Sequence, residues 1–264
     1  EFTGATVGTL WVIGANLLVF FTIRNLRLAE KDLRKSVVRG IALLLWIGIP
    51  LGFSLYRYQH YTEQGPQADV VVVQPNIDPW SEQYTLPVEE VFRRNITQAA
   101  KLTDSLTDFL VCPESALQES IWLNNPRNSA SIPMIEAFVR NHPNLTVVIG
   151  ASTFKAYGPG EKLPPTARKF RNQEGYFDAF NTAFIVDTTS QTGFYHKSKL
   201  VPGPEKMPFP RLLRPFQEIA FDLGGTTGSL GLSPERTVFS KPGRDMKFNT
   251  AICYESVYGD FMNG

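Results

Sequence analysis

The chain has 264 residues, with 26 Lys+Arg against 25 Asp+Glu, a formal net charge of +1 and only 19% charged residues. With 43% hydrophobic residues this composition excludes a disordered chain. The near-neutral balance lacks the basic surplus that neutralises phosphates, so no nucleic acid is expected as a partner.

In chain order, residues 3–23 (TGATVGTLWVIGANLLVFFTI) and 40–56 (GIALLLWIGIPLGFSLY) are free of charge. At 1.5 Å rise per residue they reach about 31 and 25 Å, against a hydrocarbon core of about 30 Å, and two transmembrane helices are expected. A secretory signal is the alternative for the first run, which lacks a basic leader and a small-residue cleavage site. A buried core helix is the alternative for the second, and Pro50 would kink it in either setting. Between them, residues 24–39 carry Arg24, Arg27, Lys31, Arg34, Lys35 and Arg39 against Glu30 and Asp32. Short loops rich in Lys and Arg stay in the cytoplasm, which sends everything after about residue 57 to the trans side. A plain solvated linker would leave the orientation unset. The chain starts without Met and begins and ends in mid-element, so a piece of a longer membrane protein is expected. The expected organisation is a membrane region over 1–57, a linker over 58–68 and a globular part over 69–264.

The globular part reads as strands alternating with helices. Residues 69–74 (DVVVVQ) form a β-branched run closed by Pro75-Asn76, expected as a strand buried on both faces. Residues 87–108 place Val88, Val91, Phe92, Asn95, Ala99, Leu102 and Leu106 on one helical face. A strand is expected at 109–112, a helix at 132–140 and a buried strand at 145–151, followed by an exposed excursion over 155–177. Residues 180–187 and 192–199 are expected to form a hairpin, and 247–253 (KFNTAIC) the last buried strand. This alternation predicts a layered α/β domain with a partly antiparallel sheet. The Asn-Ile-Thr and Asn-Leu-Thr triplets at 95 and 144 match a glycosylation pattern by chance. The three His are scattered and no CxxC or HxxxH spacing occurs, so no metal or other cofactor is expected. One pair, Cys112 and Cys253, is too little for a disulfide scaffold.

Three strand ends carry reactive side chains, where open α/β sheets bind ligands: Glu114 in FLVCPES, Lys197 in GFYHKSKLVPGPEKMPF and Cys253 in TAICYES. Each has an ordinary alternative, namely a solvated cap, a surface lysine and a buried inert thiol.

Taken together and in this order, they resemble the Glu-Lys-Cys triad of the nitrilase (carbon–nitrogen hydrolase) superfamily. The motifs are VVVQPNID (71–78), CPES (112–115), FNTAFIVD (180–187), YHKSKLVPGPEKMPF (195–209) and ICYES (252–256). With two preceding spans, the similarity narrows to the membrane-bound apolipoprotein N-acyltransferase branch. Gly203-Pro204 stands where that branch has Phe-Gly before its glutamate, and Cys112 stands where an aromatic precedes Pro-Glu. The resemblance implies an αββα four-layer sandwich, incomplete at the C-terminus, with Glu114, Lys197 and Cys253 catalytic. Glu205 would orient Lys197, and Tyr254 and Glu255 would shape the pocket. It further implies a multi-pass protein of the bacterial inner membrane with a periplasmic catalytic domain, a phospholipid acyl donor and a diacylglyceryl apolipoprotein acceptor.

Residue chemistry agrees. A thiol is only a few per cent ionised at neutral pH and needs a base, the role of Glu114, while a lysine suits the oxyanion of acyl transfer. Ping-pong transfer through a Cys253 thioester would follow, at the surface of the lipid bilayer. Phe194, Tyr195, Met207, Phe209, Leu212, Leu213 and Phe216 are candidates to receive acyl chains; ordinary core under a long loop is the alternative. Alternation points His196 away from Lys197, so it is not expected as a second base. A nitrilase-type amidase acting on a small C–N substrate and a non-catalytic membrane-tethered binding module remain as other functions.

Overall fold

The computed structural model describes residues 4–27, 32–62, 65–189, 193–207 and 229–263. The chain divides into two compact units, residues 1–66 with 257–264, and residues 67–256.

The first unit is built on α1 (Gly4–Arg27) and α2 (Leu33–His60). Both are long and apolar enough to cross a membrane, over Val7–Arg27 and Leu33–His60. They pair through indoles: Trp11 donates to the Trp46 carbonyl at 2.8 Å and Trp46 to the Trp11 carbonyl at 3.0 Å. Such interhelical hydrogen bonds join helices where no water competes. Both helices outrun the uncharged segments, so the expected 24–39 loop is mostly helical. Arg24 and Arg27 lie in the last turn of α1, and Arg34, Lys35 and Arg39 lie in α2. Lys31 and Glu30 fall outside the described residues. Asp32 caps α2, accepting the Lys35 N–H at 3.0 Å.

The second unit is a mixed α/β layer around one seven-stranded sheet. Strands β1 (Val70–Val72), β2 (Phe109–Val111) and β4 (Thr146–Tyr157) run parallel, and β3 (Leu117–Trp122) pairs parallel with the far end of β4. Antiparallel to β4 runs β6 (Tyr176–Val186), which carries β5 (Arg168–Lys169) and β7 (Gly193–His196) on its other side. Leu110, Val147, Ile149 and Phe184 form the apolar core with Ile132, Ile135 and Val139 of α4 (Ser131–Arg140) and with Ile96. This β-branched and aromatic content matches strands covered by helices.

Several elements depart from the sequence expectation. Strand β1 is not buried on both faces: Val70 is 46% and Val72 72% exposed, because β2 is its only described partner. The helix expected over 87–108 is α3 (Val88–Phe92) continued by a π-type turn (Arg93–Thr97), and it ends near Ala99. Leu102 and Leu106 are therefore exposed. Asp104 explains the stop, since its carboxylate accepts the Leu106 and Thr107 N–H groups at 2.9 and 3.0 Å and competes with helical bonding. Strand β3 was not expected, and β4 continues to Tyr157, so the 155–177 excursion is partly sheet.

The last expected strand, 247–253, is the largest difference. Only Lys247–Phe248 (β9) is extended, paired with β8 (Phe239–Ser240) in a separate two-stranded sheet. This hairpin is fastened to the main sheet by charge. Lys241 donates to the Asn144 carbonyl and, at 3.3 Å, to Thr146 Oγ1, while Arg244 pairs with buried Asp108. Phe248 packs edge-on against Phe109, with centroids 4.9 Å apart.

Candidate active site

Glu114 follows β2 on a segment that runs hard against β4. The Cys112 N–H donates to the Val148 carbonyl at 2.8 Å and the Gly150 N–H to the Pro113 carbonyl at 3.1 Å. A Cβ at Gly150 would lie 2.0 Å from the Glu114 carbonyl oxygen, so only glycine permits this approach. The acid is thus placed by backbone contact with a buried strand.

Lys197 is the first residue beyond β7. Its N–H donates to the Asn181 carbonyl at 2.9 Å, and its side chain is fully buried. Its Nζ donates to Glu205 Oε1 at 2.8 Å and to Glu114 Oε1 at 3.2 Å. Burial alone would depress this ammonium. The Glu205 hydrogen bond and the charges of Glu114 and Glu205 outweigh it and raise its pKa, so the group stays cationic. Glu205 is itself held by its loop, accepting the Val201 N–H at Oε2, 2.8 Å away.

Cys253 is exposed and opens a 3-10 turn (Cys253–Val257) with φ +47. A non-glycine residue in the left-handed region is held there by its surroundings, a kind of strain that clusters at functional sites. Burial pushes the thiol up, the charge of Glu114 pushes it further, and Lys197 opposes both. With its titration pushed up, the thiol keeps its proton at neutral pH. Cys112 differs: it is buried and its thiol is pushed up to about 12.

Glu255 joins the turn to the lysine loop. It is completely buried and its Oε1 accepts from Tyr195 Oη at 2.6 Å, Ser198 N at 2.6 Å, Ser198 Oγ at 2.9 Å and Lys199 N at 3.1 Å. Its Oε2 accepts from Ile252 N at 2.8 Å. Within 249–253 the Ile252 N–H goes to this carboxylate and not to a strand ladder. Tyr254 follows the cysteine in the same turn.

A cavity of about 510 Å³ opens beside Glu114 and Cys253, within the range of small-ligand sites. Its apolar walls are Val70, Phe109, Val111, Val148 and Phe248, not the residues singled out to receive acyl chains. Of those, Tyr195 is buried with its hydroxyl on Glu255, Phe194 is 44% exposed and Met207 is half-buried. Phe209, Leu212, Leu213 and Phe216 lie outside the described residues. His196 faces Thr182, 2.8 Å away, and burial pulls its pKa down to about 4, so it is neutral. Asn181 was missed as a site residue. It donates to Glu114 Oε1 at 2.5 Å and to Glu205 Oε1 at 3.2 Å. The one signal was an amide inside a mostly apolar strand.

Beside the mixed sheet Glu114 and Lys197 form an ion pair, and the charges of both act on the Cys253 thiol. The curated relatives it matches are apolipoprotein N-acyltransferases. The chain is 23% identical over 269 residues to the apolipoprotein N-acyltransferase of Chlorobaculum tepidum, covering 98% of this chain and 48% of that protein. It is 26% identical over 265 residues to that of Haemophilus influenzae, covering 98% and 44%. The resemblance read from the motifs is thus the one its relatives carry, and the chain spans about half the length of the curated relatives it matches. No family model matches the chain. Among solved structures, it overlaps a CN-hydrolase superfamily protein from Xanthomonas campestris, with 11% identity, TM-score 0.37 and coverage of 64% of this chain and 49% of that one. It also overlaps the glutamine-dependent NAD+ synthetase of Acinetobacter baumannii, with 13% identity, TM-score 0.36 and coverage of 66% and 26%.

Proposed function

We propose that this chain carries the catalytic part of an apolipoprotein N-acyltransferase, moving an acyl chain from a phospholipid through a Cys253 thioester to the N-terminal amine of a diacylglyceryl-cysteine apolipoprotein. The observation that carries the proposal is the buried Lys197 ammonium, held between Glu114 and Glu205, with Glu114 also against the strained Cys253. Two apolar helices on the same chain and the names of its relatives support a lipid substrate.

In the first half-reaction, Glu114 takes the thiol proton as sulfur attacks the ester carbonyl. The oxyanion that forms is neutralised by Lys197, whose charge is present before the reaction starts. Collapse breaks the ester C–O bond, and the lysophospholipid oxygen leaves with the proton from Glu114. In the second, the acceptor amine attacks the thioester, its proton passes to Glu114, and the departing thiolate recovers it. Glu205 would keep Lys197 in place, and Tyr254 and Glu255 would shape the turn. The catalytic domain would extend over 69–264. The basic residues at the α1–α2 junction would keep that end of the helices in the cytoplasm and the catalytic domain in the periplasm.

Intact mass after incubation with phospholipid tests the reading. An acyl-sized adduct on Cys253, absent from Cys253→Ala and discharged by a lipoprotein N-terminal amine, is expected. Hydrolysis of a small amide without lipid transfer would replace it with an amidase, and an unreactive Cys253 with a tethered binding module.

A further inference from the structure

Glu114 and Glu205 present one carboxylate oxygen each to the same two donors. Lys197 Nζ and Asn181 Nδ2 both bridge Glu114 Oε1 and Glu205 Oε1, closing a four-membered ring of hydrogen bonds at 2.8, 3.2, 2.5 and 3.2 Å. Lys197 is the cation; Asn181 supplies the second bridge without charge. The orientation of its amide is forced, because the carbonyl end would set a third acceptor against two carboxylates. Asn181 also accepts the Lys197 N–H at its own carbonyl, so one residue of β6 touches the lysine through its backbone and both acids through its side chain.

We propose that Asn181 is a positioning residue of this site, holding Glu114 Oε1 so that its other oxygen is left for the thiol proton and one proton of Lys197 is left for the oxyanion. The inference rests on the acyl-transfer reading above. An ammonium has three protons, and two are engaged by Glu114 and Glu205. With Asn181 sharing both carboxylates, the lysine is not drawn wholly onto them. Without the amide, the two Oε1 atoms would depend on Lys197 alone, and Glu114 would hold a proton more tightly, since a hydrogen-bond donor favours the charged form. The charged and titratable groups facing Glu114 are Lys197, Glu205 and Cys253; changing Asn181 keeps all three residues and removes one donor from Glu205 as well as from Glu114.

A p-nitrophenyl acyl ester tests this in the whole chain, with the nitrophenolate burst giving the acylation rate and intact mass locating the adduct. Asn181→Ala is expected to slow the burst about tenfold or more at pH 7 and to move its acidic limb to higher pH. Asn181→Asp keeps the shape but adds a third carboxylate, and should move the limb further in the same direction. Burst amplitude reports the folded fraction, so misfolding lowers amplitude without moving the limb. An unchanged pH profile in Asn181→Asp, with a normal Cys253 adduct, overturns this inference alone. No Cys253 adduct in the unsubstituted chain overturns the acyl-transfer reading and this inference with it.

Discussion

Tyr195 and Glu255 share a buried hydrogen bond of 2.6 Å although sixty residues separate them in the chain. Through it the strand that delivers the lysine is tied to the turn that delivers the cysteine. The same carboxylate draws in Ser198, Lys199 and Ile252. Glu255 therefore spaces Lys197 and Cys253 without being between them.

Removing that carboxylate should be expensive. Glu255→Ala removes the acceptor that Tyr195, Ser198, Lys199 and Ile252 share, a loss on the order of 3 kcal/mol. A clear fall in thermal midpoint is expected together with slower acylation of Cys253. An unchanged midpoint would show that the turn finds its position by other means.

Glu114 and Lys197 should separate by what they do to binding and to chemistry. Glu114→Gln keeps the shape but loses the base, and thioester formation should fall by about 10² or more. Lys197→Ala should lose a comparable factor while phospholipid affinity changes little, since oxyanion stabilisation acts in the transition state. The double substitution should be little worse than either alone, because the two act as a unit. Near-normal acylation in Glu114→Gln removes it as the base.

The two thiols should differ sharply in reactivity. Cys253 is exposed, whereas Cys112 is buried and pushed up to about 12. Iodoacetamide on the folded chain should label Cys253, and Cys112 only after denaturation, as peptide mapping will show. Recovery of a Cys112–Cys253 disulfide from active protein would contradict both assignments.

The charged fastening under the β8–β9 hairpin sets a pH dependence. Burial alone would raise the Asp108 carboxyl, but Arg244, the Asp69 N–H and Lys241 outweigh it and hold it below the ordinary carboxylate range. The unfolded chain then binds the proton more readily than the folded one. Its stabilising contribution is complete above the ordinary aspartate value near 4 and is lost as pH falls through the lower folded value. Thermal midpoints should drop as the pH falls below about 4, and Asp108→Asn should flatten that drop. An equally steep drop in Asp108→Asn would place the acid sensitivity elsewhere.

Much of this was legible in one dimension. Uncharged runs of membrane length need no partner to declare themselves, since they follow from transfer free energy alone, and α1 and α2 contain them. The strands just before Glu114 and Lys197 were legible, the first as a short apolar run and the second as half of a hairpin. The helix after Pro87 was legible at its start but not at its end. Leu102 and Leu106 keep the helical spacing, while the side chain of Asp104 captures the backbone that would have continued it.

What only the tertiary structure decided is which polar groups meet. Val70 and Val72 have the composition of a central strand, yet their exposure depends on which neighbours arrive. Residues 249–253 have the composition of a strand, yet Ile252 N–H goes to Glu255 rather than to a ladder. The sequence by itself determined the two apolar spans and the places of Glu114 and Lys197 shortly after strands, whereas the strand expected to end at Cys253 stops at Phe248. Different roles for Glu114, Glu205 and Glu255 came from the resemblance of the motifs, not from the residues themselves, because the three carboxylates are chemically alike. Long-range hydrogen bonds from Asn181, Lys197 and Tyr195 separate them, and such bonds exist only once segments distant in the chain are packed together.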